Sequence, residues 1–90
     1  METHYFFPPA SGYRLNRCLF LLKSDTAFLK RYLENPERAL TESGLDAKTQ
    51  TVLRSFDRDH LVAMGAHPYL VFMAGLRLRM EREPENFEHF

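Results

Sequence analysis

The chain lacks tryptophan, has one cysteine and four glycines, and carries no excess charge, with 12 lysines and arginines against 12 aspartates and glutamates in 90 residues. Each shortage removes a class of function. The single cysteine, Cys18, can form no internal disulfide, which leads us to expect a reducing, cytoplasmic setting. A net charge of zero and a pI near 6.9 leave no footprint for a phosphate backbone or an anionic lipid surface, so neither nucleic acid nor a membrane is an expected partner. The longest apolar run, Tyr69 to Leu76, is interrupted by Gly75 and falls well short of the ~20 residues that span a bilayer. Met1-Glu2-Thr3-His4-Tyr5 has neither the basic segment nor the apolar stretch of a secretory leader.

Self-contained chemistry is also missing. Gly12, Gly44, Gly65 and Gly75 are scattered and form no phosphate-cradling loop. His60 and His67 sit on either side of Gly65 without His-x-x-x-His or Cys-x-x-Cys spacing, so no metal site is expected in this chain. Asp57-x-Asp59-His60 lacks the later glycine and bidentate glutamate of a calcium loop, and Asp57 reads as a helix cap. Cys18 falls in an apolar stripe, the setting of a small buried hydrophobe and not of an activated nucleophile. No close pair of carboxylates shares an apolar face for acid–base work, and no catalytic residue is assigned.

What is present is helical punctuation. Leu15, Cys18, Leu19 and Leu22 follow the i, i+3, i+4, i+7 spacing of one helix face. Ser24-Asp25 caps a second stripe of Phe28, Leu29, Tyr32 and Leu33 that ends before Pro36. Asn35 and Pro36 open a short third helix, and Gly44 stands where a left-handed terminator is wanted. Asp46 caps a helix burying Val52, Leu53 and Phe56; Asp57 starts another with Leu61, Val62 and Met64, which stops at Gly65. Pro68 opens the last helix, Tyr69 to Arg82, apolar nearly all round through Leu76 and therefore expected at the centre of the core. The expected fold is an all-α single domain of five to six mostly short helices over residues 12–82. An extended arm over residues 1–11, with Tyr5, Phe6, Phe7, Pro8 and Pro9, and a tail over residues 83–90 complete the chain.

One block is unusual. Gly65-Ala66-His67-Pro68-Tyr69-Leu70 places an imidazole, a rigid ring and a phenol at the entrance to the most apolar helix, behind two small residues where another backbone could approach. His67 can cap that helix, or His67 and Tyr69 can offer hydrogen bonds to a ligand hydroxyl from the wall of an aromatic pocket.

Two short motifs in this order, Gly12-Tyr13-Arg14-Leu15-Asn16 at the first helix and Gly65-Ala66-His67-Pro68-Tyr69-Leu70 before the last, resemble the small (alpha) subunit of protocatechuate 4,5-dioxygenase and its relatives. The similarity runs from about Gly12 to Leu76. It implies an all-α, non-catalytic subunit that caps the active site of a large (beta) subunit, in the class of iron(II) extradiol dioxygenases that open catecholic rings. The resemblance implies that Fe(II) and the catalytic histidine belong to the large partner, and no cofactor to this chain. It makes Gly65 to Leu70 the lid over a catecholic substrate at the subunit boundary. His67 and Pro68 stand where the protocatechuate subunit is expected to carry asparagine and an aliphatic residue, and Leu70 where it is expected to carry phenylalanine. The alternative is a stand-alone helical module, homo-oligomeric through Tyr69 to Met80, that binds an aromatic small molecule or a protein.

Overall fold

The structure, a computed structural model, describes residues 10–82. Most of the expected arm (residues 1–9) and the whole expected tail (residues 83–90) lie outside the described residues. Six helices follow one another: α1 Ala10–Ser24, α2 Thr26–Glu34, α3 Pro36–Glu42, α4 Ala47–Ser55, α5 Arg58–Ala63 and α6 Pro68–Arg82. No strand occurs among the described residues, and the fold is all-α as expected. None of these helices is long and apolar enough to cross a membrane.

Local chemistry sets the boundaries. Side-chain oxygens of Asp25, Asn35, Asp46 and Asp57 accept from the backbone N–H of Phe28 (3.1 Å), Arg38 (3.1 Å), Thr49 (2.8 Å) and His60 (3.1 Å). Each such cap stabilises its helix by about 0.5–2 kcal/mol. The Asp46 carboxyl is held below its ordinary value by the hydrogen bonds from Thr49. Its contribution is therefore present above roughly pH 4 and is lost as the pH falls through the lowered folded value. Gly44 (φ +83°) and Gly65 (φ +107°) adopt the left-handed backbone conformation at the ends of α3 and α5.

Three expectations need correction. Helix α1 begins at Ala10, so Ala10 and Ser11 are helical and not part of an extended arm; Gly12 is buried within the helix and does not interrupt it. Phe56 is not an interior helical residue of α4 but its C-cap, in a left-handed conformation (φ 53°), and is half-buried. Helix α6 is not buried all round. Val71, Ala74, Gly75 and Leu78 are buried, whereas Tyr69 and Phe72 are each 56% exposed and Met80 is 41% exposed. Of the residues expected inside α5, Leu61 is buried, Met64 is half-buried and Val62 is exposed.

The core forms where Leu15, Cys18, Leu19 and Leu22 of α1 meet the inner faces of the other helices. The most extensive helix pair is α1 with α6. They run in parallel: Asn16 meets the segment that opens α6, while further along Arg77 Nη1 donates to the Lys23 carbonyl (3.2 Å) and Nη2 to Thr26 Oγ1 (3.2 Å).

Cys18 is buried in this core, as its place in the stripe implied. Burial pushes its thiol from 9.0 up to about 11, against a smaller opposing effect of Ser43. The folded chain at pH 8 is expected to react with iodoacetamide at least roughly 100-fold more slowly than the urea-unfolded chain, because little thiolate forms and access is closed. Since the unfolded thiol ionises first, stability should fall as the pH rises above about 9. Rapid alkylation under native conditions would contradict the burial.

Candidate functional site

The two segments singled out in the sequence meet at the start of α6. Asn16 Oδ1 accepts from the His67 backbone N–H (2.7 Å), and Asn16 Nδ2 donates to the Gly65 carbonyl (2.9 Å). One side-chain amide thus holds both polar groups that flank Ala66. The two-residue spacing matters, because an amide carries its acceptor and donors on one plane. The backbone that approaches Gly65 is the chain's own: a Cβ built on Gly65 would lie 3.5 Å from Gly12 Cα.

Within the block, Ala66 is buried, Leu70 is half-buried, and Gly65, His67, Pro68 and Tyr69 are exposed. His67 Nδ1 accepts from the Tyr69 backbone N–H (3.1 Å), so the ring caps α6. In the neutral imidazole this leaves Nε2 as the protonated nitrogen. Of the first-helix motif, Leu15 is buried in the core and Tyr13 is 63% exposed. None of Gly65 to Leu70 lines either of two cavities among the described residues, one between α2 and α3 and one between α4 and α6. The block is a clamped turn at the start of α6, exposed at Gly65, His67, Pro68 and Tyr69. Among the described residues no group of three or more His, Cys, Asp or Glu converges to hold a metal ion.

The clamp has a measurable value. Asn16→Leu should cost about 1–2 kcal/mol, since two solvent-accessible hydrogen bonds are lost and water can replace part of them. For a domain of this size that lowers Tm by roughly 5–15 °C. Asn16→Asp keeps the acceptor for His67 but loses the donor to Gly65, and should fall between the two. Hydrogen exchange at the His67 amide should accelerate in Asn16→Leu; an unchanged rate would mean that the amide is held by something else.

Beside the clamp lies a feature the sequence did not reveal. On α6, Tyr69, Phe72, Met73, Leu76 and Met80 form a second apolar stripe, about half a turn from the buried Val71, Ala74, Gly75 and Leu78 at ~100° per residue. On α1, Tyr13 and Phe20 (49% exposed) lie outside the buried stripe, with the Lys23 ammonium over the Phe20 ring at 5.0 Å. The α6 stripe starts at the clamped turn, with Tyr69 its first residue. Comparison with family models, curated proteins and solved structures returns no match for this chain.

Proposed function

We propose that this chain is a non-catalytic small subunit that docks through the outer face of α6. In the specific form implied by its resemblance, it caps the active site of an iron(II) extradiol dioxygenase acting on a catecholic compound. The observation that carries this reading is the outer apolar stripe of α6, exposed at Tyr69, Phe72 and Met80 among the described residues and continuous with the clamped Gly65–Leu70 turn. Monomeric proteins rarely expose a contiguous apolar surface of this kind without a use for it, and aromatic residues with Met are the types enriched at the centre of interfaces. On this reading Fe(II) belongs to the large subunit, and His67 offers its exposed Nε2–H toward the boundary where substrate sits.

The test is co-expression with the large dioxygenase subunit encoded nearest this chain, followed by co-purification and assay of iron(II)-dependent cleavage of a catechol panel. A complex whose activity exceeds that of the large subunit alone is expected. Equal activity with and without this chain would defeat the proposal.

The same stripe favours a second reading, a homo-oligomer formed through α6. It predicts a discrete dimer at micromolar concentration without any partner, measured by analytical ultracentrifugation. A monomer that assembles only with the large subunit excludes it.

A further inference from the structure

Two cavities of similar size among the described residues differ in charge. One, of about 220 Å³ between α2 and α3, is lined by Arg31, Glu34, Arg38 and Glu42 together with Asn35 and Ala39, so its charges alternate in sign; Arg38 Nε and Glu42 Oε2 pair along its α3 wall at 3.1 Å. The other, of about 190 Å³, is lined by Arg54 of α4 and by Arg79 and Arg82 of α6, with no carboxylate. Its remaining walls are Tyr32, Phe56, Gly75 and Leu78. A chain of zero net charge therefore gathers three guanidinium groups around one hollow.

The chain builds this hollow from positions far apart in sequence. Tyr32 is 2% exposed, and its hydroxyl lies beside Arg82. Gly75 contributes no side chain, and a Cβ there would lie 2.9 Å from Phe56 Cε2, so the glycine makes room for the ring that forms one wall. Arg79 and Arg82 project from α6 one turn apart, and Arg54 faces them from the last turn of α4. Like charges held together repel, and among the described residues neither ion pair within 4 Å involves these arginines. An oxyanion between them reverses the sign of that interaction and gives each planar fork its matching acceptor.

We propose that the hollow bounded by Arg54, Arg79, Arg82 and Tyr32 binds a small oxyanion, the phosphate or carboxylate group of a small molecule. Its volume is below the ~300 Å³ at which drug-sized pockets begin, which limits the ligand to an anion or a short fragment. The site stands apart from the outer face of α6 and does not depend on the dioxygenase reading.

The test uses the full chain, titrated separately with inorganic phosphate and with acetate at constant ionic strength in chloride, while the guanidinium Nε–Hε signals of Arg54, Arg79 and Arg82 are followed by NMR. Saturable shifts at all three are expected, with a dissociation constant on the order of 1 mM for the better anion. Which anion binds more tightly identifies the ligand class. R79Q/R82Q should weaken binding at least tenfold, whereas Arg38→Gln in the charge-balanced cavity should leave it unchanged within twofold. No saturation by either anion overturns the proposal, as does equal binding by R79Q/R82Q. Glu83, Glu85 and Glu88 follow Arg82 in sequence and lie outside the described residues. If E83Q/E85Q/E88Q binds the anion tenfold more tightly, the chain's own carboxylates are the occupants and the small-molecule reading falls; unchanged affinity supports it.

Discussion

Leu78→Asp is expected to unfold the domain, whereas Phe72→Asp on the same helix should leave it folded and abolish docking. Leu78 is 3% exposed and belongs to the hydrophobic core, while Phe72 is 56% exposed on the outer stripe of α6. An unpaired carboxylate forced into the core costs more than about 3–5 kcal/mol. A domain of this length has a total stability of only about 5–13 kcal/mol. At position 72 the carboxylate stays in water and the loss should be within roughly 0.5 kcal/mol, so Tm moves by a few degrees at most. The consequence appears instead in assembly, because a charge facing the centre of an apolar interface weakens binding by a hundredfold or more. Circular dichroism melts and co-purification with the large subunit separate the two outcomes. If Phe72→Asp lowers Tm as far as Leu78→Asp, the outer stripe is packed within the chain and the docking proposal fails.

This contrast also marks where the sequence could be read and where it could not. Helix boundaries were legible because their causes lie within a few residues. Asp25, Asn35, Asp46 and Asp57 each cap the backbone three positions ahead, and Pro36 and Pro68 open their helices because they lack only the N–H that a first turn does not need. The apolar pattern of α6 reports which faces are apolar, but not how many of them have a partner. Reading the helix as the centre of the core followed from the pattern, and only the placement of the other helices shows that among the described residues Tyr69, Phe72 and Met80 stay exposed on its outer side.

Long-range pairings were invisible for the same reason. Asn16 and the Gly65–Leu70 block were both singled out, yet nothing in either segment says that one amide closes on the other's backbone across 49 residues. Arg54, Arg79 and Arg82 carry no mutual spacing that would suggest a common hollow. Phe56 misled more directly, since its place after Val52 and Leu53 continues the helical stripe. A left-handed C-cap usually calls for glycine, and a phenylalanine takes that conformation only where tertiary packing rewards the ring.

The reward for Phe56 is Gly75, and the pair yields the second large prediction. Gly75→Val places a Cβ 2.9 Å from Phe56 Cε2 and two further methyl groups beyond it. Overpacking of this kind costs about 1–3 kcal/mol, against a gain of only a few tenths for replacing glycine inside a helix. We expect a net loss of about 2 kcal/mol and a Tm lower by roughly 8–16 °C. Phe56→Gly removes the ring and relieves a left-handed backbone that costs a non-glycine residue about 1–2 kcal/mol, so much of its own packing loss is offset. The double variant Phe56→Gly/Gly75→Val should therefore be more stable than Gly75→Val alone, with a coupling of about 1–2 kcal/mol, inside the range seen for residues in contact. Urea midpoints of the four proteins, with unchanged m values, measure that coupling. Strict additivity would mean that ring and helix do not meet, and with it would go the wall that Phe56 gives to the arginine-lined hollow.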